Sequence, residues 1–488
     1  MSFLSALLGS LVAGLVLLAL FAVTFTPLMQ ATLRRFTGTL IRESYTGNVL
    51  SLLNSVQRLG PQTMGETMLR AGSGGQVIQR PLGTPRHLSP WQDLMFNPAQ
   101  LGRSPLMADT EVDLGVVIGP KAKRPLRIET PLLIAGMSYG GALQPELKVA
   151  LAKAANNAGT ATNTGEAYLA EERRAARKLI VQYHRGTWPM SPQNHPQLLA
   201  SADAIEIQIG QGAQTGAPMR TASNIIRPEQ RKAFGLGAGK DALIDGRLQG
   251  VRDVHDLAEL VKRLHEAYEV PVGLKFAATD RLEQDLDDLA AAPLDFICLD
   301  GAEGGTHGGP AILQDDFGLP TMHAVARADA HLRRLGRRSG LSLIASGGLH
   351  TPGMCLKALA LGADACYLGT SVVVAAIVEQ AVNVAPWEPP YSMIFASGSD
   401  RGRLSPDNAE QRATSFLRSS TAELETGMRA LGKAALTELG RQDMIALTPM
   451  TAALTGCRLP LGPLEEEEAD IGYPSVGLRD EPRPRPLH

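Results

Sequence analysis

Apolar residues in the middle of the chain fall into short continuous runs, and this pattern predicts buried parallel strands. Many of the runs consist of Ile, Leu, Val and Ala, without the alternation that a half-exposed strand shows. Most of them end in glycine-rich or polar turns. The eight runs are Leu132–Gly136, Ala161–Thr164, Leu179–Gln182, Ala204–Ile209, Val272–Phe276, Phe296–Leu299, Leu341–Ala345 and Ala365–Leu368.

Helical patterns separate most of these runs. Eight strand–helix units predict an α/β fold, a (β/α)8 TIM barrel, rather than a doubly wound sheet, because no GxGxxG opens a first strand–helix turn. The interval from Ile209 to Val272 is too long for one crossover helix, so we expect an insertion above the barrel mouth. The clearest helical segments are Leu143–Ala158, Val254–Tyr268, Leu282–Ala291, Thr321–Leu335 and Pro352–Leu361.

The N-terminal segment Phe3–Phe25 is apolar and carries no charged residue. As a helix it would span roughly 35 Å, which is enough to cross a bilayer. A cleaved signal peptide and a buried helix are the alternatives, but the segment lacks the basic start that a signal peptide has. The first positive charges, Arg34, Arg35 and Arg42, follow the segment. The positive-inside rule then predicts a single-pass membrane protein with its catalytic body in the cytoplasm.

Composition and charge narrow the classes of function. Lys and Arg number 47 against 49 Asp and Glu, so no basic excess indicates a nucleic-acid partner. The four cysteines form no CxxC pair, so we expect no metal site and a reducing compartment. With 44% hydrophobic and 20% charged residues, the chain is not globally disordered.

We divide the chain into five segments on these patterns. The predicted C-terminal extension contains the Ala/Leu/Glu/Arg-rich stretch 405–440, and the predicted tail contains the acidic run Glu465–Glu468. The segments are a transmembrane anchor (1–30), a lead-in (31–110), the barrel (111–400), a C-terminal helical extension (401–460) and a flexible tail (461–488).

Glycine pairs at the ends of the last two strands indicate an anion site. Ser346-Gly347-Gly348 follows the seventh strand and Gly369-Thr370 follows the eighth. Backbone N–H groups in such turns can approach a phosphate closely, and barrels often bind phosphate at this position. Glycine also commonly just makes the turn, but two pairs on adjacent strands favour phosphate binding.

Three polar residues near the other strand ends suggest which phosphate compound binds. Lys275 lies inside an apolar run, where a charge is either functional or part of a structural ion pair. Gln182 and Gln208 offer amides that suit a planar isoalloxazine ring, or they are satisfied core groups. A phosphate anchor, a lysine and amide donors in one barrel mouth predict flavin mononucleotide (FMN) as the cofactor.

Several sequence blocks resemble the FMN-binding synthase domain of glutamate synthase. Their order and spacing match that domain from about residue 80 to residue 440. The resemblance implies an FMN barrel that reduces a 2-imino acid, formed from 2-oxoglutarate and ammonia, to glutamate. The blocks are Ile134–Leu143, Asn163–Glu166, Glu206–Ala213, Asp300–Pro310 and Ala345–Leu349.

The resemblance also implies roles for single residues. Met137 and Ser138 would border the flavin N5 edge, Thr164 and Gln182 would contact the ring, and Lys275 would face N1 and O2.

Beyond the ring, Gly347-Gly348 and Gly369-Thr370 would hold the phosphate. Glu166 would handle a proton near the substrate, unless it only caps a helix.

Three more residues are candidates for substrate contacts or catalysis. Gln208 and Gln214 stand where the family usually has lysines, so two positive charges that would bind an acidic substrate are missing. Arg220 is our candidate to replace them, with Gln211 as a second substrate-binding residue. His307 in the sixth glycine-rich loop is either a general acid or a solvent-exposed bystander.

Two departures from the family change the expected partners. Full-length relatives begin with a glutaminase domain, whereas this chain begins with the apolar segment, so ammonia would come from solution or from a partner. Residues 381–390 contain no cysteine where the family has three, and we therefore expect no iron–sulfur cluster. Electrons would come from a soluble donor, a donor protein or a membrane quinone.

Three hypotheses follow for the activity. The first is a membrane-anchored FMN oxidoreductase that acts on an amino, imino or 2-oxo acid, with lipid contacts through the N-terminal helix. The second keeps FMN but oxidises a 2-hydroxy acid or an amine and passes the electrons to a membrane acceptor. The third is a flavin-binding scaffold without turnover.

Overall fold

The computed structural model describes residues 3–42, 44, 50–224 and 226–460. The chain separates into two compact units, which meet in sequence between Ile78 and Gln79 and are described one at a time. The predicted flexible tail, 461–488, lies outside the described residues.

Within the described residues, the first unit contains three α-helices, α1 (Phe3–Arg42), α2 (Leu50–Leu59) and α3 (Pro61–Gly72). Helix α1 is longer than the predicted apolar segment, because it continues through Pro27 without a break. Its described part has the length and apolar composition of a membrane span, and none of that apolar stretch is buried. A signal sequence near an N-terminus also meets these criteria, so the membrane anchor stays a prediction.

The second unit contains sixteen strands within the described residues. They are β1 (Gln79–Arg80), β2 (Leu94–Phe96), β3 (Val116–Ile118), β4 (Leu126–Ile128), β5 (Leu132–Ile134), β6 (Thr162–Asn163), β7 (Leu179–Tyr183), β8 (Ala204–Gln208), β9 (Met219–Thr221), β10 (Ala242–Ile244), β11 (Val272–Ala277), β12 (Phe296–Asp300), β13 (Gly309–Pro310), β14 (Ser342–Ser346), β15 (Ala365–Leu368) and β16 (Met444–Ala446).

Twelve α-helices accompany these strands within the described residues. They are α4 (Pro145–Asn157), α5 (Ala170–Ala175), α6 (Pro196–Ala200), α7 (Pro228–Phe234), α8 (Val254–Ala267), α9 (Leu282–Asp288), α10 (Ala311–Asp315), α11 (Thr321–Arg334), α12 (Pro352–Ala360), α13 (Thr370–Ile377), α14 (Pro406–Ala430) and α15 (Pro449–Thr455).

Eight parallel strands form one sheet in the order β5-β15-β14-β12-β11-β8-β7-β6. The two edge strands meet through the Ile134 N–H, which donates to the Ala161 carbonyl at 3.1 Å. Each predicted run overlaps one of these strands, and helices connect most of them, so the predicted (β/α)8 barrel is confirmed. The predicted strand ends differ from the observed ends by no more than two residues, and the largest difference is at β5, which ends at Ile134 rather than Gly136.

The amino-terminal end of the barrel is closed by the antiparallel pair β3–β4. The Gly119 N–H after β3 donates to Ser342 Oγ at the start of β14, at 3.1 Å. Apolar side chains of the pair fill the lower barrel together with Leu133, Ile180 and Phe296. The lower interior is therefore apolar, and space for polar chemistry remains at the carboxyl ends of the strands.

The predicted insertion between β8 and β11 contains β9, α7 and β10, and β9 pairs antiparallel with β10. A second apolar cluster, which includes Tyr139, Leu169, Trp188 and Phe234, joins α7 of the insertion to the loops that follow β5, β6 and β7. Because those loops leave the carboxyl ends of the strands, the insertion covers one side of the barrel mouth, as predicted.

The predicted helical stretch 405–440 contains α14, which packs against α4 and α13 of the barrel. Beyond it, β16 pairs with β2 from the lead-in. The C-terminal segment therefore closes back onto residues that precede the barrel.

Candidate active site

Buried polar side chains form a layer at the carboxyl ends of the barrel strands. Each has at most 5% of its surface exposed, and each comes from a barrel strand. The sequence singled out four of them and missed the other four. The layer consists of Asn163, Gln182, Glu206, Gln208, Lys275, Asp300, Ser346 and Tyr367.

Glu206 is the centre of this layer. Its Oε1 accepts hydrogen bonds from Gln182 Nε2 at 2.7 Å and from Asn163 Nδ2 at 3.0 Å. Its Oε2 accepts a hydrogen bond from the Tyr367 hydroxyl at 2.9 Å. Burial and the neighbouring Glu206 carboxylate raise the pKa of Tyr367 well above its usual value, so this hydroxyl remains a donor. Three strands other than β8 are therefore tied to one carboxylate.

Lys275 is held between a carboxylate and an aromatic ring. Its Nζ lies 3.4 Å from Asp300 Oδ2 and 5.8 Å from the centroid of the Tyr367 ring. Burial alone would lower the pKa of Lys275, but Asp300 and Glu206 outweigh burial and raise it, so the ammonium stays charged. Lys275 thus makes a buried ion pair, and its predicted contact with flavin N1 and O2 stays a prediction.

Asp300 is only partly satisfied by the protein. Its Oδ2 accepts from the Gly212 N–H at 3.2 Å in addition to facing Lys275. Its Oδ1 is buried and has no hydrogen-bond partner among the described residues. An unpartnered carboxylate oxygen at this depth indicates that the site accommodates a further donor.

Glu166, Gln208 and Arg185 form a hydrogen-bonded line beside Lys275. Gln208 Nε2 donates to Glu166 Oε1 at 3.1 Å, and Arg185 Nε donates to Gln208 Oε1 at 3.3 Å. Burial raises the pKa of Glu166, although the charge of Arg185 opposes the shift. The alternative helix-capping role for Glu166 is wrong, because the N-cap residue of α5 is Leu169.

The loops after β5 and β6 pack against each other through glycine. Gly165 has φ +65°, and a Cβ there would lie 2.5 Å from the Ser138 nitrogen. Thr164 Oγ1 accepts a hydrogen bond from the Gln182 N–H at 3.1 Å. The structure therefore brings Met137, Ser138, Thr164 and Gln182 together, as their predicted roles at one ring require.

The predicted phosphate residues also meet. Gly347 and Gly348 have φ +107° and +66°, which favour glycine, and they follow β14. Gly369 is the N-cap residue of α13, so the N-terminus of that helix begins at Thr370. The hydroxyl of Ser371 in its first turn is buried and has no partner among the described residues. These features fit a phosphate group at the site.

His307 is half-buried, and its ring packs edge-on against Phe395 with centroids 4.5 Å apart. Burial lowers its pKa, which favours the neutral imidazole at neutral pH. The interpretation as a solvent-exposed bystander is therefore wrong, while the catalytic role stays a prediction.

Arg220 lies outside the buried layer. It pairs with Asp241 Oδ2 at 2.6 Å across the β9–β10 ladder, and 72% of its side chain is exposed. Gln211 is half-buried and bonds through its backbone to Gln214. Gln214 itself donates to Thr306 Oγ1 at 3.3 Å, and its Oε1 is buried without a partner among the described residues.

Sequence reasoning missed Asn163, Glu206, Asp300 and Tyr367 as one group, and it also missed Arg185. The signal was present at Glu206, because a carboxylate inside an apolar strand needs a partner just as Lys275 does. In the part of the chain that the structure describes, no group of three His, Cys, Asp or Glu side chains could hold a metal ion. The four cysteines are buried and unpaired.

Comparison with known proteins gives a family match. Residues 92–433 match the family model described as the conserved region in glutamate synthase. The chain is 32% identical over 410 residues to a glutamate synthase large subunit-like protein of Rhizobium meliloti, covering 79% of this chain and 90% of that protein. It is 29% identical over 357 residues to an archaeal-type NADPH glutamate synthase of Thermotoga neapolitana, covering 72% of this chain and 69% of that protein.

Among solved structures, a soluble mutant of the membrane-associated (S)-mandelate dehydrogenase from Pseudomonas putida aligns with a TM-score of 0.49 and 17% identity. The alignment covers 72% of this chain and 88% of that chain.

The hydrogen bond from Tyr367 to Glu206 yields the first prediction. Replacing Tyr367 with Phe leaves a buried carboxylate oxygen unpaired, so we expect the free energy of unfolding to fall by about 1.5–3 kcal/mol. Tyr183→Phe is the control, because that hydroxyl makes no hydrogen bond to the described residues, and it should change stability by less than about 0.5 kcal/mol. Urea denaturation of the full chain in detergent measures both, and equal effects would contradict the central role of Glu206.

Proposed function

The chain belongs to the family defined by the conserved region in glutamate synthase, and from this membership we propose that it is an FMN-dependent oxidoreductase of amino, imino or 2-oxo acids. The resemblance drawn from the sequence motifs is thereby confirmed at the level of the family. The observation that carries the proposal is the layer of buried polar groups beside the Gly347–Gly348 turn at one barrel mouth.

The residues at the mouth fit FMN. Gly347, Gly348 and the first turn of α13 would hold the phosphate, and the unpartnered Ser371 hydroxyl would gain an acceptor. A charged Lys275 would stabilise electron density at the pyrimidine edge of the ring. FMN, when bound, supplies the two-electron redox chemistry.

Four further residues at the mouth would orient the ring. They are Met137, Ser138, Thr164 and Gln182. Glu206 accepts a hydrogen bond from the Gln182 amide and thereby fixes the orientation in which that amide would meet the ring. The loops after β5 and β6 pack closely around these residues, and this packing would keep water away from the reacting atoms.

Glu166 is our candidate for moving a proton at the substrate. Its pKa is raised by burial, so it holds a proton at a higher pH than an exposed carboxyl group does. In the reductive direction a protonated Glu166 would donate to the substrate nitrogen, and in the oxidative direction the carboxylate would accept that proton. His307 is retained as a second candidate general acid.

The partners remain those that the sequence suggested. Helix α1 would anchor the chain in the membrane with the catalytic body in the cytoplasm, and lipid would contact its apolar surface. Because residues 381–390 contain no cysteine, we propose that no iron–sulfur cluster carries electrons there. A donor protein or a membrane quinone would then exchange electrons with the flavin directly.

The phosphate-binding turn can be tested with a matched pair of glycine variants. Gly348 has φ +66° and a Cβ there would lie 2.5 Å from Glu303 Cβ, so Gly348→Ala should reduce bound FMN at least about tenfold. Gly336 has a similar φ of +65° with open space around it, so Gly336→Ala imposes the same backbone strain elsewhere. FMN released per chain, measured by fluorescence, should fall only in the first variant. An equal FMN content in both would contradict the phosphate assignment.

The role of Glu166 can be tested through the pH dependence of the reaction. In the wild-type chain, reduction of imino acid formed from 2-oxo acid and ammonia should slow as pH rises through the raised pKa of Glu166, because the proton donor is lost. Glu166→Gln should be slower by about 100-fold and lack this pH dependence. Chromatography of the amino acid formed by the chemically reduced full chain measures both. A Gln variant that keeps the wild-type profile would exclude this role.

Oxidation of the reduced flavin by 2-oxoglutarate plus ammonia, compared with a panel of other acids, tests the proposed class of reaction. Reaction with 2-oxo acids only in the presence of ammonia would support it. Flavin reduction by 2-hydroxy acids alone would support the second hypothesis instead, and no reaction with any acid or amine would support the scaffold.

A further inference from the structure

Thr321 supports the glycine turn that follows β14. It is the first residue of α11, and its side chain is fully buried. Its hydroxyl donates a hydrogen bond to the Gly347 carbonyl at 2.8 Å. A Cβ on Gly347 would lie 2.8 Å from the same hydroxyl oxygen, so the backbone of the turn packs directly against the threonine. The turn that would hold the cofactor phosphate is therefore in contact with a helix that precedes β14.

The Thr321 hydroxyl has one proton to donate, and two further oxygens lie within its reach. One is the Ser346 carbonyl at 3.4 Å, which already accepts from the Gly301 N–H at 2.9 Å. The other is Glu303 Oε2 at 2.9 Å, which already accepts the Thr321 N–H at 2.9 Å. The Gly347 carbonyl has no other donor among the described residues. Because a buried carbonyl without a donor is costly, we assign the hydroxyl proton to Gly347.

This hydrogen bond sets the direction of the peptide between Gly347 and Gly348. The peptide is trans, so its C=O and N–H groups point in opposite directions. With the carbonyl directed at Thr321, the Gly348 N–H points away from Thr321. Neither glycine has a Cβ, so the reversed peptide is also accessible to the backbone. The threonine hydroxyl therefore decides whether the far side of the turn presents an N–H donor or a carbonyl acceptor.

The helices α11 and α13 lie on opposite sides of this turn. In the sheet order β14 lies between β12 and β15. Helix α11 packs against β12 and β14, whereas α13 follows β15. The first turn of α13 contains the buried Ser371 hydroxyl, which has no partner among the described residues. An N–H directed away from α11 would add a further donor for an anion at the N-terminus of α13, and a carbonyl there would repel the anion.

We propose that Thr321 is a positioning residue for the cofactor phosphate. Its hydroxyl holds the Gly347 carbonyl, and this contact directs the Gly348 N–H toward the phosphate. The inference rests on the proposed function and deepens it, because it names the side chain that sets the orientation of the phosphate turn. Thr321 acts on the phosphate alone, so binding of the flavin ring does not depend on its hydroxyl.

Thr321→Val tests this role, because valine has nearly the shape of threonine and lacks the hydroxyl. In fluorescence titrations of the full chain in detergent, freed of bound flavin, this variant should bind FMN at least about tenfold more weakly than the wild type. Its affinity for riboflavin, which has no phosphate, should change by less than about twofold. Thr321→Ser keeps the hydroxyl and should bind FMN within about threefold of the wild type. Equal losses of FMN and riboflavin affinity in the valine variant would overturn the role.

Thr455→Val is the matched control. Thr455 is also fully buried, and its hydroxyl donates to the Thr451 carbonyl at 2.6 Å. It lies in α15, which follows β16 rather than a strand of the barrel sheet. This variant also loses a buried hydroxyl, and it should bind FMN as the wild type does. An equal loss of FMN affinity in both valine variants would assign the effect to the loss of any buried hydroxyl and would overturn the inference.

Inorganic phosphate as a probe separates this inference from the proposed function. Phosphate should raise the thermal unfolding midpoint of the wild type and of Thr321→Ser, but not that of Thr321→Val. If this pattern holds and the wild type binds no flavin, the role of Thr321 stands and the oxidoreductase proposal fails. If the wild type and Thr321→Val bind FMN equally well, the role of Thr321 fails and the oxidoreductase proposal stands. If the wild type responds to neither phosphate nor flavin, both fail.

Discussion

The burial of Glu206 in the upper barrel is the constraint on which the rest of the site depends. A carboxylate at this depth is tolerated only if its oxygens are paired, and here amides from β6 and β7 and a hydroxyl from β15 pair with them. The same hydrogen bonds fix the orientation of Asn163, Gln182 and Tyr367. The ring of Tyr367 in turn lies beside Lys275, so the position of the lysine also depends on Glu206. The network costs desolvation energy, and in return it specifies one arrangement of four strand ends.

The barrel divides its mouth into two chemically different sides. The turns after β14 and β15 offer backbone N–H groups and a helix N-terminus. They carry no positively charged side chain, because they consist of Ser346, Gly347, Gly348, Gly369 and Thr370. The β7–β8 side offers Arg185 and Glu166 under the insertion. Lys275 on β11 lies between the two sides in the sheet order. The two sides therefore differ in chemistry, with backbone N–H groups on one and charged side chains on the other.

The fold was largely predictable, and the site was predictable in part. Continuous apolar runs marked all eight barrel strands, because strands buried on both faces leave a signal in the chain itself. The turn residues Gly347, Gly348 and Gly369 were also visible, since glycine at a strand end has a local cause. The hydrogen bond between Glu206 and Tyr367 joins residues 161 positions apart, so no local sequence pattern predicts it. Arg220 was chosen as the candidate cation because it lies close to a family block, whereas the hairpin that pairs it with Asp241 forms only in the fold.

The absorption spectrum of the full chain purified in detergent, with mass identification of any released cofactor, tests the account most directly. A barrel mouth with glycine turns after β14 and β15, a charged lysine and ordered amides should retain FMN, so we predict an oxidised-flavin spectrum and a released compound with the mass of FMN. A colourless chain that takes up no added FMN would contradict the account, because the polar layer around Glu206 would then serve some other ligand.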